Sequence, residues 1–210
     1  MTKGHKGFTL SEVLITTAIL TLITGAAMTV FNQSQLAYTT QNDFRKTSSQ
    51  LRVTLDEIVR YIRQAGSDPN EALGLNPVEV LGTGHIRLTS DVTGSIASTT
   101  QNSAEATGDP DGALDSIYEM VEIRHDSGEE RIYIDIGYGE QVLAERVTHL
   151  SFAFFDLNGN EVTDPSEIAR VAVQVTGVTE SADPRSGKTT SITLQSNAFI
   201  RSRTPEIVPE

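Results

Sequence analysis

Among the residues able to do chemistry, Glu12 stands out by its surroundings. It sits at the head of an apolar run, Val13 to Phe31, of 19 residues without a charge. A carboxylate at the centre of a bilayer costs roughly 2.5–3.5 kcal/mol unless it is paired, although in the first turn of a helix it gains about 0.3–1 kcal/mol from the macrodipole. The chemistry Glu12 offers is therefore charge pairing with a cation. A second group of acids, Asp109, Asp111 and Asp115 in "DPDGALD", has spacings that suit a hard cation wanting oxygen ligands, so these three are candidates for holding Ca²⁺. The twelve-residue loop pattern with glycine sixth and glutamate twelfth is not met there. Nor is it met in "DLNGNE" at 156 to 161, where Gly159 is fourth and a hairpin turn is the better reading. The four histidines, His5, His85, His125 and His149, lack H-x-H or H-E-x-x-H spacing, and G-x-S-x-G, P-loop and dinucleotide fingerprints are missing. Cys is absent, which removes thiolate nucleophiles, thiolate metal sites and disulfides. No catalytic residue is assigned, the expectation is that the chain is not an enzyme, and Ca²⁺ is the one cofactor to which any residues point.

The element that positions Glu12 is a helix. At about 1.5 Å per residue the uncharged run makes ~28 Å of helix, close to the roughly 30 Å hydrocarbon core of a bilayer. Thr16, Thr17, Thr21, Thr24 and Gly25 dilute it, but Thr can return its hydroxyl to a carbonyl one turn back, and small residues suit helix–helix contact in membranes. A secretory signal peptide has a shorter apolar region followed by a small-x-small site, and "NQSQLAYTTQND" offers none. A plain anchor, with Lys3 and Lys6 on the cytoplasmic side, accounts for the apolar run and its basic flank and leaves Glu12 unexplained.

Past residue 31 the helix continues as an amphipathic one. Phe44, Leu51, Leu55, Ile58, Val59 and Ile62 recur at spacings near 3 and 4, with Arg45, Lys46, Arg52, Asp56, Glu57, Arg60 and Arg63 on other faces. Gly66, Pro69 and Asn70 in "AGSDPN" supply the stop. The stripe should cover a sheet of its own domain, because the chain beyond the helix has period 2: Ile132, Ile134 and Ile136; Leu150, Phe152 and Phe154; Val171, Val173 and Val175. With "HIRLTS", "IYEMVEIRH" and "TSITLQSNAFI" these make about six strands, so the predicted fold class is α+β, a long N-terminal helix against an antiparallel sheet. Residues 91–116, rich in Ser, Thr, Gly and Asp, read as a long surface loop. The formal charge is −12, and between Glu105 and Glu145 twelve acids face only Arg124 and Arg131, a local net of −10. Such a balance argues against nucleic acid as a partner.

The residues "GFTLSE", Gly7 to Glu12, decide between the N-terminal readings. They resemble the processing site of the type IV pilin and pseudopilin superfamily, in which a short basic leader is cut after a glycine, the new N-terminal phenylalanine is methylated, and an acid stands fifth in the mature chain. Counting from Phe8, Glu12 is fifth. The resemblance implies cleavage between Gly7 and Phe8 by a separate prepilin peptidase, N-methylation of Phe8, and a role for Glu12 in subunit assembly as the partner of a neighbour's methylated amine. Gly7 suits the cleaved position because a residue without Cβ lets the backbone enter a narrow protease site. The implied organisation is a leader at 1–7, a transmembrane helix at 8–31, its amphipathic continuation at 32–65, a β-rich head at 66–203 and a tail at 204–210.

The stretches "LAERVTHLSFAFFDLNGNE", "IARVAVQVTG" and "TTSITLQSNAFIRSR" are similar to the heads of PilW-type minor pilins and, more distantly, to the J-type minor pseudopilin of type II secretion. The closing Leu-Arg-Asn of that group is Ile200, Arg201 and Ser202 here, and the terminal cysteine pair of many pilins is missing. The resemblance implies a minor type IV pilin-like subunit of the inner membrane, with an extracytoplasmic head that enters a pilus or pseudopilus. Its implied partners are prepilin peptidase and other minor and major pilins or pseudopilins. A minor pseudopilin of type II secretion and a membrane-anchored ligand-binding or adhesive head are the alternatives.

Overall fold

A single helix, Leu10–Gln64, connects the apolar segment to the head without a break. The structure is a computed structural model and describes residues 9–68, 74–92, 112, 114, 118–183 and 186–203. At 1.5 Å per residue this helix is about 82 Å long, and none of its residues is buried before Thr47. From there Thr47, Leu51, Thr54, Leu55, Ile58, Val59, Tyr61 and Ile62 form one buried stripe at helical spacing. The expected stripe is present with one displacement: Phe44 is 46% exposed, because the sheet reaches the helix only a turn later, and Tyr61 is buried instead. The helix ends where Gly66 turns into the left-handed region at φ +73 and donates its N–H to the Thr89 carbonyl at 2.7 Å. A Cβ there would press on Pro77, so glycine is required twice over.

The strands form two antiparallel sheets rather than the one expected. β1 (Val78–Gly82), β2 (His85–Thr89), β3 (Met120–Asp126), β4 (Arg131–Asp135) and β5 (Gln141–Glu145) pair in chain order as a five-stranded sheet. β6 (Val147–Phe155), β7 (Arg170–Val178) and β8 (Ser191–Phe199) make a three-stranded sheet. The break between the sheets falls on Arg146, a non-glycine residue at φ +57 whose carbonyl accepts the Val178 N–H at 3.0 Å, while Val147 donates to Glu130, in the turn before β4, at 2.8 Å. One left-handed residue thus redirects the chain from one sheet to the other. β1 and β5 escape the period-2 pattern because both are edge strands. After Val78 every residue of β1 is exposed, and β5 buries only Ala144.

One core joins the layers. Ile86, Leu88, Val121, Ile123 and Ile132 come from the five-stranded sheet, Leu150, Val171, Val173 and Val175 from the other, and the helix stripe closes over β7 and β8. Each such side chain contributes about 1.5–3 kcal/mol by burial. The helix packs tightly at Gly177, where a Cβ would stand 2.9 Å from Leu51 Cδ2 and 3.1 Å from the Arg146 carbonyl.

Candidate functional site

The helix begins with its own cap. Thr9, extended at φ −79 and ψ 152, is the N-cap, and its Oγ1 accepts the Glu12 N–H at 3.3 Å. Glu12 reaches back with Oε2, which accepts the Thr9 N–H at 2.9 Å and the Thr9 hydroxyl at 2.8 Å. This reciprocal pair is a capping box. It is written in the sequence as T-x-x-E, a signal missed when Glu12 is taken as an isolated acid, and it makes Thr9 a positioning residue for the carboxylate. Both bonds land on Oε2. Gly7 and Phe8 lie outside the described residues.

Beyond the cap, the helix presents apolar surface on every side. Leu14, Ile15, Leu20, Ile23, Val30 and Phe31 are between 58% and 64% exposed. A window of mean hydropathy 2.0 with none of it buried makes the helix long and apolar enough to cross a membrane. Its hydroxyls do not spoil that surface: Thr16 and Thr17 donate to the Glu12 and Val13 carbonyls. Thr21, Thr24 and Thr29 donate to Ala18, Leu20 and Gly25 at 2.8, 2.7 and 2.9 Å. Each donor is satisfied within its own helix, which is what a hydrocarbon environment demands. A core helix of this hydropathy would be buried, whereas here the same unbroken helix is bare in its first half and buried in its second.

Among the described residues, acids of the acidic stretch make bridges on the solvent face of the five-stranded sheet. Arg87 binds Glu79 at 2.8 Å and Glu122 at 3.1 Å. Arg124 grips Glu140 with two bonds, 2.8 and 3.0 Å, and Asp126 with a third at 3.1 Å, while Arg131 lies between Glu129 and Glu145. Burial pushes the Glu122 carboxyl up, but hydrogen bonds from His85 (2.6 Å) and Arg87 outweigh it and hold it below the usual carboxylate range. Asp126 and Glu140 are lowered as well, the first chiefly by the Glu129 backbone N–H, the second by Arg124. His125 bonds the Val147 carbonyl at 2.8 Å, and His149 is exposed on β6.

Asp109, Asp111 and Asp115 lie outside the described residues. Gly112, within the same "DPDGALD" run, donates its N–H to Asp91 Oδ2 at 2.9 Å. Asp91 is fully buried, and among the described residues its Oδ1 has no hydrogen-bond partner. It borders a cleft of about 1280 Å³ between the end of the helix and the segment after it, shared with Arg60, Arg63, Asp68 and Arg201. Nothing in the spacing of Asp91 within the sequence singles it out; only the fold brings it to the helix end.

Residues 2–28 match the family model of the prokaryotic N-terminal methylation motif. The N-terminus is a prepilin-type motif. The match covers the N-terminal motif alone and leaves the head unassigned. No curated protein matches the sequence. A type IV-like pilin from Thermus thermophilus is similar in structure with a TM-score of 0.44 and 8% identity, over 75% of this chain and 98% of that one. At those values the likeness carries no weight.

The prepilin-type motif spans both the junction at Gly7 and Phe8 and the capping box that comes after it. Its acid, Glu12, is therefore held in one orientation at the very start of the helix, one turn from Phe8 in the chain. A carboxylate so held has already given up much of the side-chain freedom that pairing with a cation would cost.

Proposed function

We propose that the chain is a minor type IV pilin-like subunit, and the observation that carries this is a prepilin-type motif opening a single helix whose first half is wholly unburied and whose second half is the spine of a β-rich head. In this reading prepilin peptidase removes residues 1–7, the amine of Phe8 is methylated, and residues 8–31 span the inner membrane with the head outside the cytoplasm. On assembly, Glu12 of one copy takes the Phe8 ammonium of a neighbouring subunit, a partner able to offset the cost of a carboxylate in the bilayer. The acidic stretch supports a place with few copies. Of the twelve acids from Glu105 to Glu145, the bridges to Arg124 and Arg131 leave a net of −10, a charge that would meet itself in every repeat of a shaft. A single copy at a tip can instead face a more basic neighbour.

Deletion of the gene tests this role. The expected outcome is loss or sharp reduction of fibres while the major subunit accumulates unassembled in the membrane, with label at fibre tips. Uniform labelling along the shaft would overturn the minor role. The cleft beside Asp91 favours a second reading, a membrane-anchored ligand-binding head. Under that reading deletion leaves fibres intact, and Asp91→Asn abolishes the phenotype of the intact gene.

A further inference from the structure

We propose that the outer edge of β8 is a strand-accepting surface that takes an extended, uncharged segment of another polypeptide. A sheet edge exposes a row of unpaired N–H and C=O groups, and folded proteins blunt such edges with bulges, charges, prolines or a covering segment. Three of the four edges here are blunted. β1 carries Glu79 and a register break between Val80 and Gly82. β5 has a break opposite Ile132 and Tyr133, ends in Glu145, and gives the Glu145 carbonyl to Gln50 at 3.2 Å. The free side of β6 is taken by a bridge from Phe155 to Glu161 and by the Val162 N–H on the Phe154 carbonyl at 2.9 Å, and a bulge interrupts its start.

Among the described residues β8 has none of these devices. Its nine residues, SITLQSNAF, include no charge, proline or glycine in a protein of net charge −12. Its register with β7 runs unbroken from Arg170↔Phe199 to Val178↔Ser191. Among the described residues, its backbone hydrogen bonds all go to β7.

The side chains beside this edge state what they would accept. On the outer face Thr176 bonds Thr193 and Gln174 bonds Gln195, both at 2.9 Å, so two ladders of like residues already run across the sheet. The next strand continues them with a hydroxyl beside Thr193 and an amide beside Gln195. On the inner face Leu194 is only half-buried and asks for an aliphatic neighbour. The fitting occupant thus alternates aliphatic residues with Ser, Thr, Asn or Gln and carries no charge, bound by main-chain pairing as in β-augmentation.

A second copy has the right composition and the wrong direction. The helix runs along β8 in the same sense: Leu51 lies at Gly177, which pairs with Ile192, and the helix end lies near Ser196 and Ser202. Antiparallel pairing of β8 with its own copy, related by a two-fold axis, would point the two helices in opposite directions, so both could not enter one membrane. That exclusion rests on the proposed membrane anchor; the open edge does not. Parallel self-pairing, about an axis along the strands, inverts the sheet face and sets Leu194 beside the copy's Thr193 and Gln195, breaking both ladders, so the segment is assigned to another polypeptide.

The test uses the full chain in detergent micelles and a capped synthetic peptide, SITLQSNAF, which has the right alternation and no anchor to constrain it. Hydrogen exchange followed by mass spectrometry is expected to show residues 191–199 exchanging about tenfold more slowly with saturating peptide, with β1 and β5 unchanged. A fully N-methylated version of the peptide should have no effect. The proposal is overturned if the peptide gives no slowing, if the N-methylated peptide acts equally, if the slowing lies in other strands, or if β8 becomes protected merely on concentrating the protein, which would seat a second copy there. Leader cleavage, read separately by the mass of the N-terminus, is independent of every one of these outcomes.

Discussion

Glu12→Gln separates the two jobs assigned to the carboxylate. Glutamine keeps an oxygen to accept the Thr9 N–H, now at 2.9 Å, so the cap survives at a cost of a few tenths of a kcal/mol. What it loses is the charge. Opposite unit charges about 4 Å apart attract by roughly 4 kcal/mol at an effective dielectric constant near 20, and desolvation takes back part of that, leaving about 2–3 kcal/mol, or ~30- to 150-fold in recruitment. Thr9→Val does the reverse: it keeps the charge and removes the Oγ1 that accepts the Glu12 N–H, costing about 1 kcal/mol, roughly fivefold. The assay is co-purification with a tagged partner subunit from native membranes, alongside the mass of the N-terminus to show that insertion and cleavage are intact. Both should be, because neutralising a membrane carboxylate eases insertion. If Glu12→Gln is recruited as well as the parent, no charge pair exists. If Thr9→Val loses as much as Glu12→Gln, the cap rather than the charge is what assembly needs.

Gly7→Val should block leader removal by adding a branched Cβ at the cleaved position, seen as unprocessed chain in membranes; normal processing would remove Gly7 as a recognition element. Gly177→Ala should destabilise the head by about 1–3 kcal/mol through overpacking against Leu51 and the Arg146 carbonyl. In denaturant unfolding the pair Gly177→Ala, Leu51→Ala should cost less than the sum of the single changes, and strict additivity would mean the two do not touch. The lowered carboxyls of Glu122, Asp126 and Glu140 give stability that is present above the ordinary carboxylate range and is lost as pH falls through their depressed values. Thermal midpoints should therefore drop below about pH 4, and Glu122→Gln should flatten that fall; an unchanged acid profile would show the bridges to be idle.

The parts of this molecule legible in the sequence are those set by periodicity over a long stretch. The helix reads correctly to within a residue of Gln64 because two independent patterns, an uncharged run and an apolar stripe, meet in it. β7 is legible because Val171, Val173 and Val175 are all buried on one face. The division into two sheets is not, since it turns on Arg146 alone, and nothing in an arginine announces a positive φ. β1 and β5 hide because exposed edge strands need not alternate. Of the candidate site, the acid is legible from its apolar surroundings and Thr9 is available as T-x-x-E, whereas Asp91 is a contact of long range, made by Gly112 twenty-one residues away.

The mass of the mature N-terminus tests the account most directly. Protein taken from its native membrane should begin at Phe8 with a methylated amine, having lost Lys3 and Lys6 and moved its formal side-chain charge from −12 to −14. Assembled material that still begins at Met1 or Thr2 would contradict it.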